Sequence, residues 1–255
     1  MRKLILATLT LSISAVVSFA QTPAETETKL LSRYAKIEKW SNYGDNPDQD
    51  QLDKENELFK KELMESCSRP ATLSYAFPKL REQIHIATSK DGRLRIYSWD
   101  MQTGGTMRDF DMVYQYRGTS ESVYSSPGAA SGFYHDIFQV DSTRGPIYLP
   151  VATFIASGTY MSESLSVVRI DGDELVLTSK LIRTAKALQN SIDFSYDFGS
   201  VMDRKERPVK LFKFDRAKST FSFPIVIEDK QTPQGRVTNR LIKYRFDGTY
   251  FVRAK

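Results

Sequence analysis

The residues best suited to holding a ligand close one apolar run: Tyr97-Ser98-Trp99-Asp100, followed by Met101-Gln102-Thr103-Gly104-Gly105-Thr106. A tryptophan beside a carboxylate at a strand end can stack on a sugar or ring while the acid accepts a hydrogen bond. Gly104 and Gly105 allow a close backbone approach or a tight turn. The plainer reading is a core tryptophan followed by an ordinary hairpin turn.

Only two histidines exist, His85 and His135, so any imidazole chemistry must use one of them. His135 stands between Tyr134 and Asp136, just after a small-residue stretch, where a loop gives way to a strand. Functional groups concentrate at such junctions. His85 alternates with Ile84 and Ile86 and reads as structural or surface. Asp100 and Asp136 would make an acid–base pair if the fold joined them, because glycoside hydrolysis needs two carboxylates flanking one bond. The candidate ligand-binding set is therefore Trp99, Asp100, Gly104, Gly105, His135 and Asp136. No metal and no cofactor is expected.

Other chemistry-bearing residues have plainer explanations. Cys67 shares a helical stripe with Phe59 and Leu63 and reads as a small buried hydrophobe. The acids Asp45, Asp48, Asp50 and Asp53 lack the alternation, glycine and terminal glutamate of a calcium loop. The charged stretches 203–208 and 228–235 read as solvated loops. HExxH, GxSxG, SxxK, CxxC and glycine-rich phosphate loops are all missing.

Two kinds of element must position these residues. Ala24–Trp40 reads as a helix, with Leu30, Leu31, Tyr34 and Ile37 at helical spacing. A second helix is expected from a start at Asn46-Pro47-Asp48 to about Cys67, stopped by Ser68-Arg69-Pro70. Residues 71–79 read as an extended linker. From Leu80 the period becomes two. In 109–117, Phe110, Met112, Tyr114 and Tyr116 share one face, opposite Asp109, Asp111, Gln115 and Arg117. Further strands are expected at 83–89, 93–99, 134–141, 147–156, 164–170, 174–182, 191–198, 209–214, 220–227, 237–246 and 249–253.

Asp91-Gly92, Asp171-Gly172 and Asp247-Gly248 each fall between such runs and suit two-residue turns. That register pairs Ile86 with Tyr97, Arg169 with Glu174, and Tyr244 with Phe251. It also makes both faces of the first hairpin apolar, so a cover on both sides is expected. The dipeptides recur at roughly twice the length of a propeller blade, about 40 residues, yet no blade motif recurs. The expected fold is mainly β: antiparallel, hairpin-rich meander sheets, propeller-like, sandwich or curled barrel, preceded by two N-terminal α-helices. The expected organisation is a signal peptide at 1–20, a helical segment at 21–78 and an antiparallel β domain at 79–255.

The leader reading rests on Arg2 and Lys3, a short apolar stretch broken by Thr8, Thr10, Ser12 and Ser14, and small residues before Gln21. Such a stretch is too interrupted to span a membrane, and no later run approaches the roughly 20 apolar residues required. Its loss would lower the formal charge of +5 by two. The remaining cations are scattered, without the basic stripe of a nucleic-acid binder. One cysteine excludes an internal disulfide. The sequence thus favours an exported protein, periplasmic or extracellular. It reads as a binding or scaffolding module of a bacterial cell envelope, its partner an envelope component, glycan or peptide. The alternative is a secreted hydrolase using Asp100, His135 and Asp136.

Overall fold

A computed structural model describes residues 21–129 and 132–254. The stretch 1–20, read above as a leader, lies outside the described residues.

Helix α1 (Pro23–Lys39) begins with a capping box. Thr22 accepts from the Glu25 N–H, and the Glu25 carboxylate accepts from the Thr22 N–H. Helix α2 (Gln49–Cys67) starts later than its sequence suggests. Asp48, not Asn46, is the cap, accepting from the Gln51 N–H at 3.0 Å. Pro47 therefore precedes the cap instead of opening the first turn. Leu30, Tyr34 and Ile37 of α1 and Phe59, Leu63 and Cys67 of α2 are all buried. Between the helices Arg33 bridges Glu55 at 2.6 Å and Glu62 at 2.8 Å.

The stretch expected as an extended linker is a packed connection. Pro70–Ser74 forms a short helix, α3, and Phe77 is fully buried. Glu27, itself buried, accepts from the Lys79 and Leu80 N–H groups and from the Tyr75 hydroxyl. One α1 side chain thus satisfies three donors of the connection.

The strands, all in chain order, are β1 (His85–Thr88), β2 (Leu94–Asp100), β3 (Phe110–Arg117), β4 (Val123–Pro127), β5 (Gly132–Val140), β6 (Ile147–Ile155), β7 (Tyr160–Ser166), β8 (Val168–Asp171), β9 (Glu174–Val176), β10 (Ile182–Arg183), β11 (Leu188–Gln189), β12 (Ser191–Asp197), β13 (Lys213–Asp215), β14 (Thr220–Ile227), β15 (Arg236–Phe246) and β16 (Phe251–Arg253). The first sheet runs β1-β2-β3-β4. The second centres on β6, with β5 on one edge and β7 followed by β8 on the other. The third runs β11-β10-β16-β15-β14-β13. The fold is mainly β, with antiparallel sheets, one curled half-barrel and the two N-terminal helices in front. One pair departs from this: β10 lies parallel to β16.

The expected register holds at Asp91-Gly92, where Ile86 faces Tyr97 and Ala87 faces Ile96. At the other two bends it is displaced by two residues. Arg169 faces Val176 instead of Glu174, and Tyr244 faces Arg253 instead of Phe251. In each case an aspartate of the bend accepts hydrogen bonds, from a distant loop in the first and from the bend itself in the second. Asp173 accepts from the Ser120 N–H and the Tyr124 hydroxyl, and Asp247 caps the Thr249 and Tyr250 amides. A slip of two keeps every side chain on its face, so the apolar pattern alone does not reveal it.

Both faces of the first hairpin are covered. Ile84, Tyr97, Trp99 and Val113 pack under the helices, while Ala87, Leu94, Ile96 and Met112 pack towards Ile137 and Tyr148 of the second sheet. The other face of the second sheet, with Leu149, Val151 and Leu165, closes against Phe221, Phe223 and Phe251 of the third. The order of layers is helices, first sheet, second sheet, third sheet.

Candidate functional site

The six sequence-selected residues separate into two places. Trp99 belongs to neither surface: it is fully buried, its Nε1 donating to Asn56 Oδ1 at 3.0 Å and its ring meeting Phe59 at 5.0 Å. The expected strand-end stacking platform is a core residue, because α2 lies over that face of β2. Asp100 follows at the strand end. Its Oδ1 accepts from the Gln102 N–H and its Oδ2 pairs with Arg108 at 2.8 Å, whose guanidinium lies 4.0 Å from the Tyr43 ring centroid. The two glycines differ in role. A Cβ on Gly104 would stand 2.0 Å from the Met107 carbonyl oxygen, whereas one on Gly105 would meet nothing within 4 Å. Close approach demands the first glycine only, and what approaches is this loop's own backbone.

His135 and Asp136 lie elsewhere and together. The pairing of β5 with β6 shifts between Tyr134 and Asp136, so His135 occupies a β-bulge. A bulge adds one residue to one strand and re-aims its side chains, a device common beside functional sites. His135 Nδ1 is 3.2 Å from Asp136 Oδ2, and Lys210 Nζ reaches the same oxygen at 3.0 Å. Burial of Asp136 opposes its ionisation, but His135 and Lys210 outweigh it and hold the carboxyl below the usual aspartate range. The His135 side chain is 4% exposed, and its Nε2 has no hydrogen-bond partner among the described residues. Asp100 and Asp136 engage different cations and share no partner.

A cleft of about 300 Å³ opens over His135. Its lining includes Arg81 just before the first sheet, His85 of β1, Tyr134 and His135 of β5, and Arg207 and Lys210 of the returning chain. Among the described residues no aspartate or glutamate is on the lining, although Asp136 contacts two lining residues, His135 and Lys210. Arg207 donates to the Met202, Arg204 and Glu206 carbonyls, so it is held in place with its charge uncancelled. His85 stacks on Phe133 at 4.0 Å; burial first, then the nearby His135, pulls its imidazole down to about 4. His85 is therefore neutral at pH 7.

Behind the cleft lies a group that sequence reading missed. Glu163 of β7 is fully buried and pairs in register with Thr153 of β6, whose buried hydroxyl has no partner among the described residues. Its carboxylate accepts from the Leu211 and Phe212 N–H groups at 3.2–3.3 Å. Burial raises it to about 8, against the opposing pull of those two amides. Glu163 shares a row of β7 with Met161 and Leu165, so an acid stands where the alternation calls for an apolar residue, and such conflicts gather at functional or strained places. Arg207, read as part of a solvated loop, was likewise missed. Nothing in its neighbourhood along the chain reveals that the loop folds over β5.

Cys67 is inert as expected, its thiol pushed up to about 12 by burial. Among the described residues no three His, Cys, Asp or Glu side chains gather as metal ligands. No described helix is long and apolar enough to cross a membrane. The arrangement can bind an oxyanion: the Arg81 and Arg207 guanidinium groups line the cleft, beside a Lys210 ammonium that Asp136 partly neutralises.

No protein-family model, curated protein or solved structure matches this chain.

Proposed function

We propose that this chain is an exported binding or scaffolding module of a bacterial cell envelope, and that the cleft at His135 receives an anionic group of its glycan or peptide ligand. Export rests on the leader-like residues 1–20. The observation that carries the binding reading is the cleft's chemistry. Arg81 and Arg207 line it together with His85, His135 and Lys210, the last shared with Asp136, and among the described residues no carboxylate is on the lining. A cationic concavity raises the local concentration of anions and prefers planar oxyanions that match a guanidinium.

Calorimetric titration tests the site. Glycan fragments bearing a carboxylate or a phosphate should bind, and their neutral parents should not. Arg81→Ala and Lys210→Ala should each weaken binding about tenfold, the scale of one charge-assisted hydrogen bond. Equal binding of the neutral fragments, or unchanged affinity in both variants, overturns the reading. Export is tested by N-terminal sequencing of the protein released from cells: Gln21 as first residue supports it, and Met1 overturns it.

The alternative, a secreted hydrolase, draws on the contact between His135 and Asp136. A carboxylate on Nδ1 would leave Nε2 as the basic nitrogen for general-base work. This version uses His135 and Asp136 without Asp100, which is engaged by Arg108. Product release from an anionic glycan that disappears in His135→Ala would favour it over simple binding.

A further inference from the structure

The third sheet has one face in the core and one in solvent, and the solvent face carries mainly positive charge. Register identifies its residues. Phe214, Phe221, Tyr244 and Phe251 lie in the inward rows and belong to the core. The alternate rows must point away. In one of these rows Lys213 faces Ser222, which faces Lys243. In the next, Asp215 faces Thr220, then Arg245, then Val252, then Arg183.

Lys213, Lys243, Arg245 and Arg183 are all exposed. Asp215 is the one acid in these rows, and Lys218 neutralises it at 3.4 Å; Asp247, in the bend after β15, acts on Arg183 alone of the four cations. Arg183 lies 4.3 Å from the Tyr250 ring centroid, which holds its guanidinium in place. Leu241, half-exposed, precedes Lys243 by two on the same strand and so shares its face. Cations two strands apart are about 10 Å from one another, and cations two residues apart on one strand about 7 Å. The four charges therefore occupy two dimensions, two in each row.

We infer that this outer face docks on an anionic lipid surface, with Lys213, Lys243, Arg245 and Arg183 against the headgroups and Leu241 entering the interfacial layer. Charge complementarity supplies the attraction, and the two-row layout selects the partner. A linear polyanion follows one line of cations, whereas a leaflet offers charge in two dimensions. An exposed leucine beside cations adds the apolar contact of interfacial binding. This inference does not use the His135 cleft and stands independently of the ligand proposed for it.

Vesicle co-sedimentation of the mature chain tests it. Vesicles of phosphatidylglycerol mixed with phosphatidylcholine should retain the protein at about 50 mM salt and release it at about 500 mM, where surface charges are screened. Vesicles of phosphatidylcholine alone should not retain it. Each Lys or Arg near an anionic leaflet is worth roughly fivefold in partitioning, so Lys243→Gln with Arg245→Gln should lower binding about 25-fold. Both positions are solvent-facing, and an unchanged thermal midpoint verifies the fold. Arg81→Ala, in the cleft, should leave vesicle binding unchanged. Equal retention by neutral vesicles, or full retention by the double variant, overturns the inference. So does capture by soluble polygalacturonate without capture by anionic vesicles, which would make the partner a polymer.

Discussion

The Trp99 indole and the Asn56 side chain join the first sheet to the second helix through one hydrogen bond, Nε1–H to Oδ1 at 3.0 Å. Asn56 spends its own amide donors on the Leu52 and Met101 carbonyls, and Phe59 meets the indole edge-on. Trp99→Ala should cost about 3–5 kcal/mol, the range for emptying a large aromatic site. Trp99→Phe keeps most of the ring but orphans Asn56 Oδ1, a loss of about 1–3 kcal/mol. Urea unfolding of the two variants checks both values. A midpoint unmoved in Trp99→Ala would show that the indole contributes nothing to the core.

Glu163 makes stability depend on pH at the alkaline side. Its folded-state value, about 8, lies above the ordinary 4.5, so the folded chain keeps a proton that the unfolded chain has lost. The associated stability is complete below 4.5 and falls away as pH rises towards 8. Glu163→Gln should abolish this slope and be more stable than the native chain at pH 9 by about 2–4 kcal/mol. Thermal midpoints measured from pH 5 to pH 9 decide it, and parallel curves for the two proteins would refute it.

His85 acts at the acid side. Its value is lowered to about 4 from 6.5, so the folded state resists a proton that the unfolded state accepts. Stability is complete above 6.5 and lost as pH falls towards 4. His85→Phe preserves the stack on Phe133 and removes the titration. Relative to the native chain it should gain about 1–3 kcal/mol between pH 7 and pH 4. The His85 ring signals in a proton NMR titration should stay fixed above pH 6, and a midpoint near 6.5 would contradict its burial.

Glu27 fastens the connection between helices and sheets. With three donors converging on a buried carboxylate, Glu27→Ala should cost about 2–4 kcal/mol and leave the Lys79 and Leu80 amides unpaired. Amide exchange at those two positions should accelerate at least tenfold. Unchanged exchange there would show that the connection is held by Phe77 and Leu80 packing alone.

Local chemistry was legible in this chain wherever neighbours along the sequence decide the outcome. The stripe Phe59, Leu63, Cys67 announced the buried side of α2, and Asp91-Gly92 announced both a bend and its register. The two displaced bends were not legible. There Asp173 and Asp247 take hydrogen bonds from the bend or from a distant loop, and side-chain alternation is blind to a shift of two. Arg95 shows the same limit: it alternates like a solvent residue but is buried, donating to the Thr72 and Tyr75 carbonyls that α3 brings to it.

By itself, the sequence determined that two amphipathic helices precede a series of pleated strands, because helix and strand periods are properties of adjacent residues. It also singled out His135, one of two histidines, and its neighbour Asp136, since their position stands at a junction. Tertiary structure alone decided that Trp99 is interior, that Glu163 lies behind the cleft, and that Arg207 and Lys210 return from some seventy residues away to face His135. The physical reason is that burial and field at a side chain are set by whatever packs against it. Which strands meet is chosen by the sum of many weak contacts distributed over the whole chain.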